Sequence, residues 1–217
     1  MSNYNRVITL VFCFVFVPLM VLGQWTDEEG IKTTLKGYLK YAKARGGAEA
    51  SKFVDAETIA WYDDIVGLAR TAKKKEVKAL PISQQLVMFL VRMRLNKGQI
   101  MRMNGKSLFV FGINEGWLGN NLTEPKLGKI KIDSSGKRAM VEMFEENGEV
   151  SDTKMVFTKE GEDWKLNFVS LLEMMDVEFA RQAEEMGATP TNFILFVLKM
   201  MGEDIEDKKI WKPVQKW

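Results

Sequence analysis

Apolar and polar residues alternate over residues 127–169: at Lys129, Ile130, Lys131 and Ile132, then across 139–143, 154–159 and 164–168. A period of two is that of a strand with one wet face. The segments between are turn sequences: 133–136 (Asp, Ser, Ser, Gly), Asn147 with Gly148, and 160–163 (Glu, Gly, Glu, Asp). The pattern therefore predicts an antiparallel four-strand meander. Its dry face must be buried, and the apolar surface long enough to do so lies in the helical segments on either side.

Before the meander the period changes to that of a helix. Thr26 with Glu29 has the form of a capping box, and Ile31, Leu35, Tyr38, Leu39 and Ala42 recur on one face until Gly46 and Gly47. A second helical stretch is expected over 48–54. Asp55 caps a third, with Ile59, Tyr62, Ile65, Val66 and Ala69 on one side. Pro81 interrupts, Ser83 is taken as the next N-cap, and 86–95 is strongly apolar apart from Arg92 and Arg94. Residues 96–105 and 106–117 read as two short helices, with 107–113 open to a strand reading because Leu108, Phe109, Val110 and Phe111 are β-prone. Residues 119–128 lead into the sheet. After it, Asp176 caps a helix ending at Gly187, and Thr189 with Pro190 opens another ending at Gly202.

The fold class is thus α+β: a helical N-terminal half packed on a curved antiparallel four-strand meander, followed by two C-terminal helices. One domain is expected over 24–202, with helices in 26–118, the sheet in 127–169 and helices in 176–202. Residues 203–217 form a charged tail, mobile unless Trp211 and Trp217 dock.

Residues 1–23 differ from the rest. Arg6 is their sole charged side chain, and 7–22 is apolar apart from Thr9 and Pro18. This reads as a signal peptide cleaved after Gly23, giving a secreted or periplasmic protein; retention as an anchor is the alternative. The one cysteine, Cys13, would leave with it, and the chain has no histidine. That excludes disulfides, thiol nucleophiles, Ser-His-Asp triads and zinc sites of the His/Cys kind from the remainder. No cofactor and no metal is implied.

The net charge of +2 is small, and lysines and arginines alternate with acids along the chain, so no nucleic acid partner is expected. Lys73, Lys74 and Lys75 are read as the solvated end of a helix. Asp63 and Asp64 are neighbours on a helix and diverge, which favours a solvated face over a catalytic dyad. Residues 203–207 lack the ligand pattern of a calcium loop. The methionines, among them Met101, Met103, Met140, Met143, Met174, Met175, Met200 and Met201, suit flexible filler better than copper ligation. Asn121, Leu122 and Thr123 fit a glycosylation acceptor.

Two stretches resemble the nuclear-transport-factor-two-like superfamily, the cone-shaped α+β fold of ketosteroid isomerases and polyketide cyclases. One is 38–55, a helix, a glycine break and a second helix. The other is 155–168, a hairpin whose last strand starts at Trp164 after a charged turn. The chain departs from the family in the helical stretch 59–117 and in the two helices after the sheet. The resemblance implies a sheet wrapped around helices with a pocket between them, and carries over no catalytic residue. Trp61, Tyr62, Trp117, Phe157 and Trp164 are the side chains suited to line such a pocket. The expected function is non-catalytic binding of a small apolar ligand or a protein partner. One alternative is an isomerase or cyclase type of enzyme using carboxylate or Tyr chemistry. Another is an envelope-associated interaction protein that self-associates through the apolar run of Phe193, Ile194, Leu195, Phe196, Val197 and Leu198.

Overall fold

The structure, a computed structural model, describes residues 26–117, 125–145, 147–205 and 207–217. The expected signal peptide and the acceptor at Asn121 lie outside the described residues. Helix α1 (Asp27–Lys43) opens on the capping box of Thr26 and Glu29 and buries Ile31, Leu35, Tyr38, Leu39 and Ala42. Helix α2 (Gly47–Ala50) is shorter than the expected 48–54. The chain leaves it to pair in parallel with the last strand: the Leu166 amide donates to the Phe53 carbonyl (2.8 Å) and the Asp55 amide to the Leu166 carbonyl (3.1 Å). Helix α3 (Ala56–Thr71) is capped by Asp55 as expected.

A short α4 (Lys74–Lys78) precedes Pro81, and α5 (Ile82–Arg94) follows it. Ser83 is not the N-cap of α5. It is the second helical residue, and both its amide (2.6 Å) and its hydroxyl (2.9 Å) donate to the Asp176 carboxylate. Asp176 in turn caps no helix of its own. It lies inside α8 (Phe168–Glu185), whose N-cap is Asn167, and supplies negative charge to the uncapped start of α5. Helices α6 (Lys97–Arg102) and α7 (Gly105–Asn114) begin at capping boxes on Asn96 and Asn104. Those caps decide for helix over the β-prone side chains of 107–113.

Strands β1 (Lys126–Ile132), β2 (Arg138–Phe144), β3 (Val150–Glu160) and β4 (Asp163–Asn167) form one antiparallel sheet in that order. Irregularities between Leu127 and Ile130 and between Glu142 and Phe144 break the register, as bulges that bend strands do. Ala139, Phe157 and Leu166 align across three strands and are buried on one face. Helix α1 lies there: Thr34 donates its hydroxyl to the Trp164 carbonyl (2.6 Å). Phe168, read as the last alternating strand position, is the first residue of α8.

Helix α9 (Pro190–Met200) starts at the Thr189 cap and buries Phe193, Ile194 and Leu198 while leaving Phe196 exposed. Residues 209–217 dock. Ile210 and Val214 are buried, Trp211 meets Phe89 edge-on at 5.2 Å, and Lys74 of the basic run sits over the Trp211 ring.

Arg92, an exception in an apolar helix, points inward and is 0% exposed. Its guanidinium donates to the carbonyls of Ala69 (3.1 Å), Leu68 (3.1 Å) and Ala72 (2.6 Å) at the end of α3, and to that of Ile210 (2.7 Å). Burial pushes its pKa down to about 10, while the helix end supplies the partial negative charge that keeps a cation tolerable there. Arg70 closes α6 in the same way, donating to the carbonyls of Ile100 and Met103.

Candidate functional site

Tyr38 sits on the buried stripe of α1 because residues 31, 35, 38, 39 and 42 share one face, and Tyr62 sits on that of α3 by the same rule. Both are 1% exposed. Their rings join a continuous aromatic series: Trp61 to Tyr62 at 5.0 Å, Tyr62 to Phe109 at 5.3 Å, Phe109 to Phe168 at 6.1 Å and Phe168 to Tyr38 at 5.1 Å. Four elements therefore converge: α1, α3, α7 and the first turn of α8. Helix α7 comes this close to α3 because Gly105 has no side chain. A Cβ there would meet the Ile59 carbonyl oxygen at 2.2 Å and the Asp63 amide at 2.6 Å.

Neither phenol hydroxyl has a hydrogen-bond partner among the described residues. Burial raises the pKa of both far above the ordinary tyrosine value, and for Tyr38 the charge that Tyr62 would carry adds to the rise. Both groups are therefore held as neutral O–H donors, near enough to sense one another yet not bonded to each other. A buried hydroxyl without a partner costs about 1–3 kcal/mol, so two in one place call for an explanation.

Beside this cluster lies a polar node. Asp55 is the one acid buried among the described residues. Its Oδ1 accepts from the Thr58 amide (2.8 Å) and hydroxyl (2.6 Å), and its Oδ2 from Asn167 Nδ2 (2.6 Å) and the Thr158 hydroxyl (3.1 Å). Asn167 also accepts from the Ser170 amide (2.9 Å), so the caps of α3 and α8 are tied to each other. This carboxylate is committed to holding two helix starts and leaves little free to take a proton from a substrate.

Of the sequence candidates, the structure brings Trp61 and Tyr62 to the cluster. Phe157 is buried on the sheet. Trp164 is also buried, with its indole N–H donating to Asp27 (2.9 Å) beside Lys159. Trp117 packs on Phe111 at 5.2 Å, and its buried indole N–H has no partner among the described residues. Among the described residues no ring contact links these last three to the tyrosines. Tyr38 was read from sequence as a helix-stripe residue, Phe109 as part of a short helix open to a strand reading and Phe168 as a strand residue, none with a site role. The available signal for Tyr38 was a hydroxyl on an otherwise apolar face.

Asp63 and Asp64 are exposed, and Asp63 accepts from the Gly105 amide (2.7 Å). Among the described residues no group of three or more His, Cys, Asp or Glu is placed to hold a metal ion, and no helix is long and apolar enough to cross a membrane. No protein-family model matches the chain, and no curated protein matches it.

Proposed function

We propose that this is an exported, non-catalytic binding protein. It takes a small, largely apolar molecule among α1, α3, α7 and α8, and an oxygen atom of that molecule accepts hydrogen bonds from Tyr38 and Tyr62. The observation that carries this reading is the pair of buried hydroxyls that have no partner among the described residues, set in a surround of packed aromatic rings. Such a lining with a few convergent polar groups is the usual make-up of a small-molecule site. Because both phenols are held protonated, they suit an acceptor such as a carbonyl, ether or hydroxyl oxygen and disfavour a cation. The resemblance of 38–55 and 155–168 to the cone-shaped superfamily supports the same reading. The apolar segment 7–22 supports export. Binding is preferred to isomerase or cyclase chemistry because Asp55 has its oxygens occupied. Among the described residues the carboxyl groups with displaced pKa, Asp27, Asp133 and Glu178, are displaced downward, away from a proton-accepting role near neutral pH.

Native mass spectrometry of the chain purified from its own host's extracytoplasmic fraction tests this. The expected result is a one-to-one organic adduct that disappears in the Tyr38→Phe, Tyr62→Phe double variant. A bare wild-type mass, or an adduct that the double variant retains, contradicts it.

A further inference from the structure

We infer that the exposed face of α1 is a docking surface for an anionic phospholipid bilayer, an inference independent of the tyrosine site. Lys32, Lys36 and Lys40 follow at four-residue spacing, with Lys43 three residues on. On an α-helix that spacing keeps all four within an arc of ~80° over ~16 Å. Along the sequence lysines and arginines read as alternating with acids and forming no stripe; folding collects these four into a row. All four are exposed, and the buried positions of α1 fill the adjoining arc.

The row is largely unneutralised. Glu28 reaches Lys32 at 3.6 Å. Among the described residues no carboxylate lies within ion-pair distance of Lys36, Lys40 or Lys43. The acids of α1 are confined to its first turn, and Asp27 there is held by Lys159 at 2.8 Å. Like charges four residues apart repel, so the row is destabilising in isolation and gains from an opposing array of negative charge. A straight row on one helix matches a flat array of phosphates.

Two further observations favour a membrane as the occupant. Tyr41, with the Lys40 ammonium over it at 5.1 Å and Phe53 stacked on it at 6.0 Å, flanks the row with an amphipathic ring of the kind that settles at headgroup level. The row also begins ten residues after the apolar segment 7–22 ends, so α1 is the first described element to follow that segment out of the bilayer during export. Since the whole chain carries only +2, the attraction is local and oriented.

Co-sedimentation of the full chain with vesicles tests the inference, using phosphatidylcholine alone or with one third phosphatidylglycerol. Binding to neutral vesicles reports the apolar segment and is subtracted. The anionic increment is expected to vanish in high salt. It should fall about fivefold per lysine, about a hundredfold in the K36Q/K40Q/K43Q variant. It should survive in K129Q/K137Q/K154Q, which removes the same charge from the sheet and its first turn. Circular dichroism of both variants should match the wild type. An increment that is absent, that resists salt, or that both triple variants lose equally overturns the proposal. So does retention on heparin without any vesicle increment, which would assign the row to a soluble polyanion.

Discussion

Replacing Arg92 with leucine should destabilise the fold by about 3 kcal/mol, although it removes a lone buried charge. The Leu68 carbonyl keeps the Ala72 amide as a donor at 2.8 Å. The carbonyls of Ala69, Ala72 and Ile210 lose the guanidinium that serves them. Each buried acceptor left unsatisfied costs about 1–3 kcal/mol, and relief from burying the cation returns part of the total, which leaves roughly 3 kcal/mol. The loss also unties the end of α3 from the docked C-terminal segment, where Trp211 lies against Phe89. Urea unfolding followed by tryptophan fluorescence would read this. With a slope of about 2 kcal/mol per molar, the midpoint should drop by about 1.5 M. Arg92→Lys, with one ammonium for four carbonyls, should fall between the two. A leucine variant as stable as the wild type or more so would refute the reasoning, because the cation would then be a burden rather than the bond donor of a helix end.

Gly105→Ala should cost about 1–3 kcal/mol by prising α7 off α3, whereas Gly67→Ala, with nothing within 4 Å, should gain up to about 1 kcal/mol; thermal unfolding of both compares them. Tyr38→Phe and Tyr62→Phe should each leave the empty chain as stable as before or more so, since each removes an unpartnered hydroxyl, while abolishing the adduct. The folded tyrosines hold their protons above their unfolded pKa, so stability should decline as pH rises past about 10. The wild type should lose more than the double variant, read as urea midpoints at pH 9 and 11. Asp27 is held below its ordinary pKa by the hydrogen bond from Lys159 and then by that from Trp164. Its contribution is therefore complete above the unfolded carboxyl pKa near 4 and is lost as pH falls through the folded value. Asp27→Asn should flatten the acid limb of the midpoint-against-pH curve, and an unchanged limb would remove that account.

What was legible in the sequence was local. The Thr26 and Glu29 box, the Asp55 cap, the Thr189 and Pro190 start and the four-strand order each rest on residues within a few positions of one another. What was not legible joins distant segments. Asp176 looked like a cap because of its type, but the helix start it serves lies 93 residues away at Ser83. Arg92 stood out in the sequence only as an exception in an apolar run, because its partners are carbonyls, which no side-chain pattern reveals. The same holds for the candidate site. Tyr62 was singled out as an amphipathic ring, but its pairing with Tyr38 depends on α1 and α3 meeting around Phe109 and Phe168. The lysine row, by contrast, was present in the spacing of residues 32, 36, 40 and 43 and emerges once α1 is drawn as a helix.

The most direct test of the central claim is a high-resolution crystal structure of the chain purified from its own host, viewed between the Tyr38 and Tyr62 hydroxyls. The account predicts density for an organic molecule with one oxygen within hydrogen-bonding distance of both phenols. Ordered water alone, or side chains closed over an empty space, would contradict it.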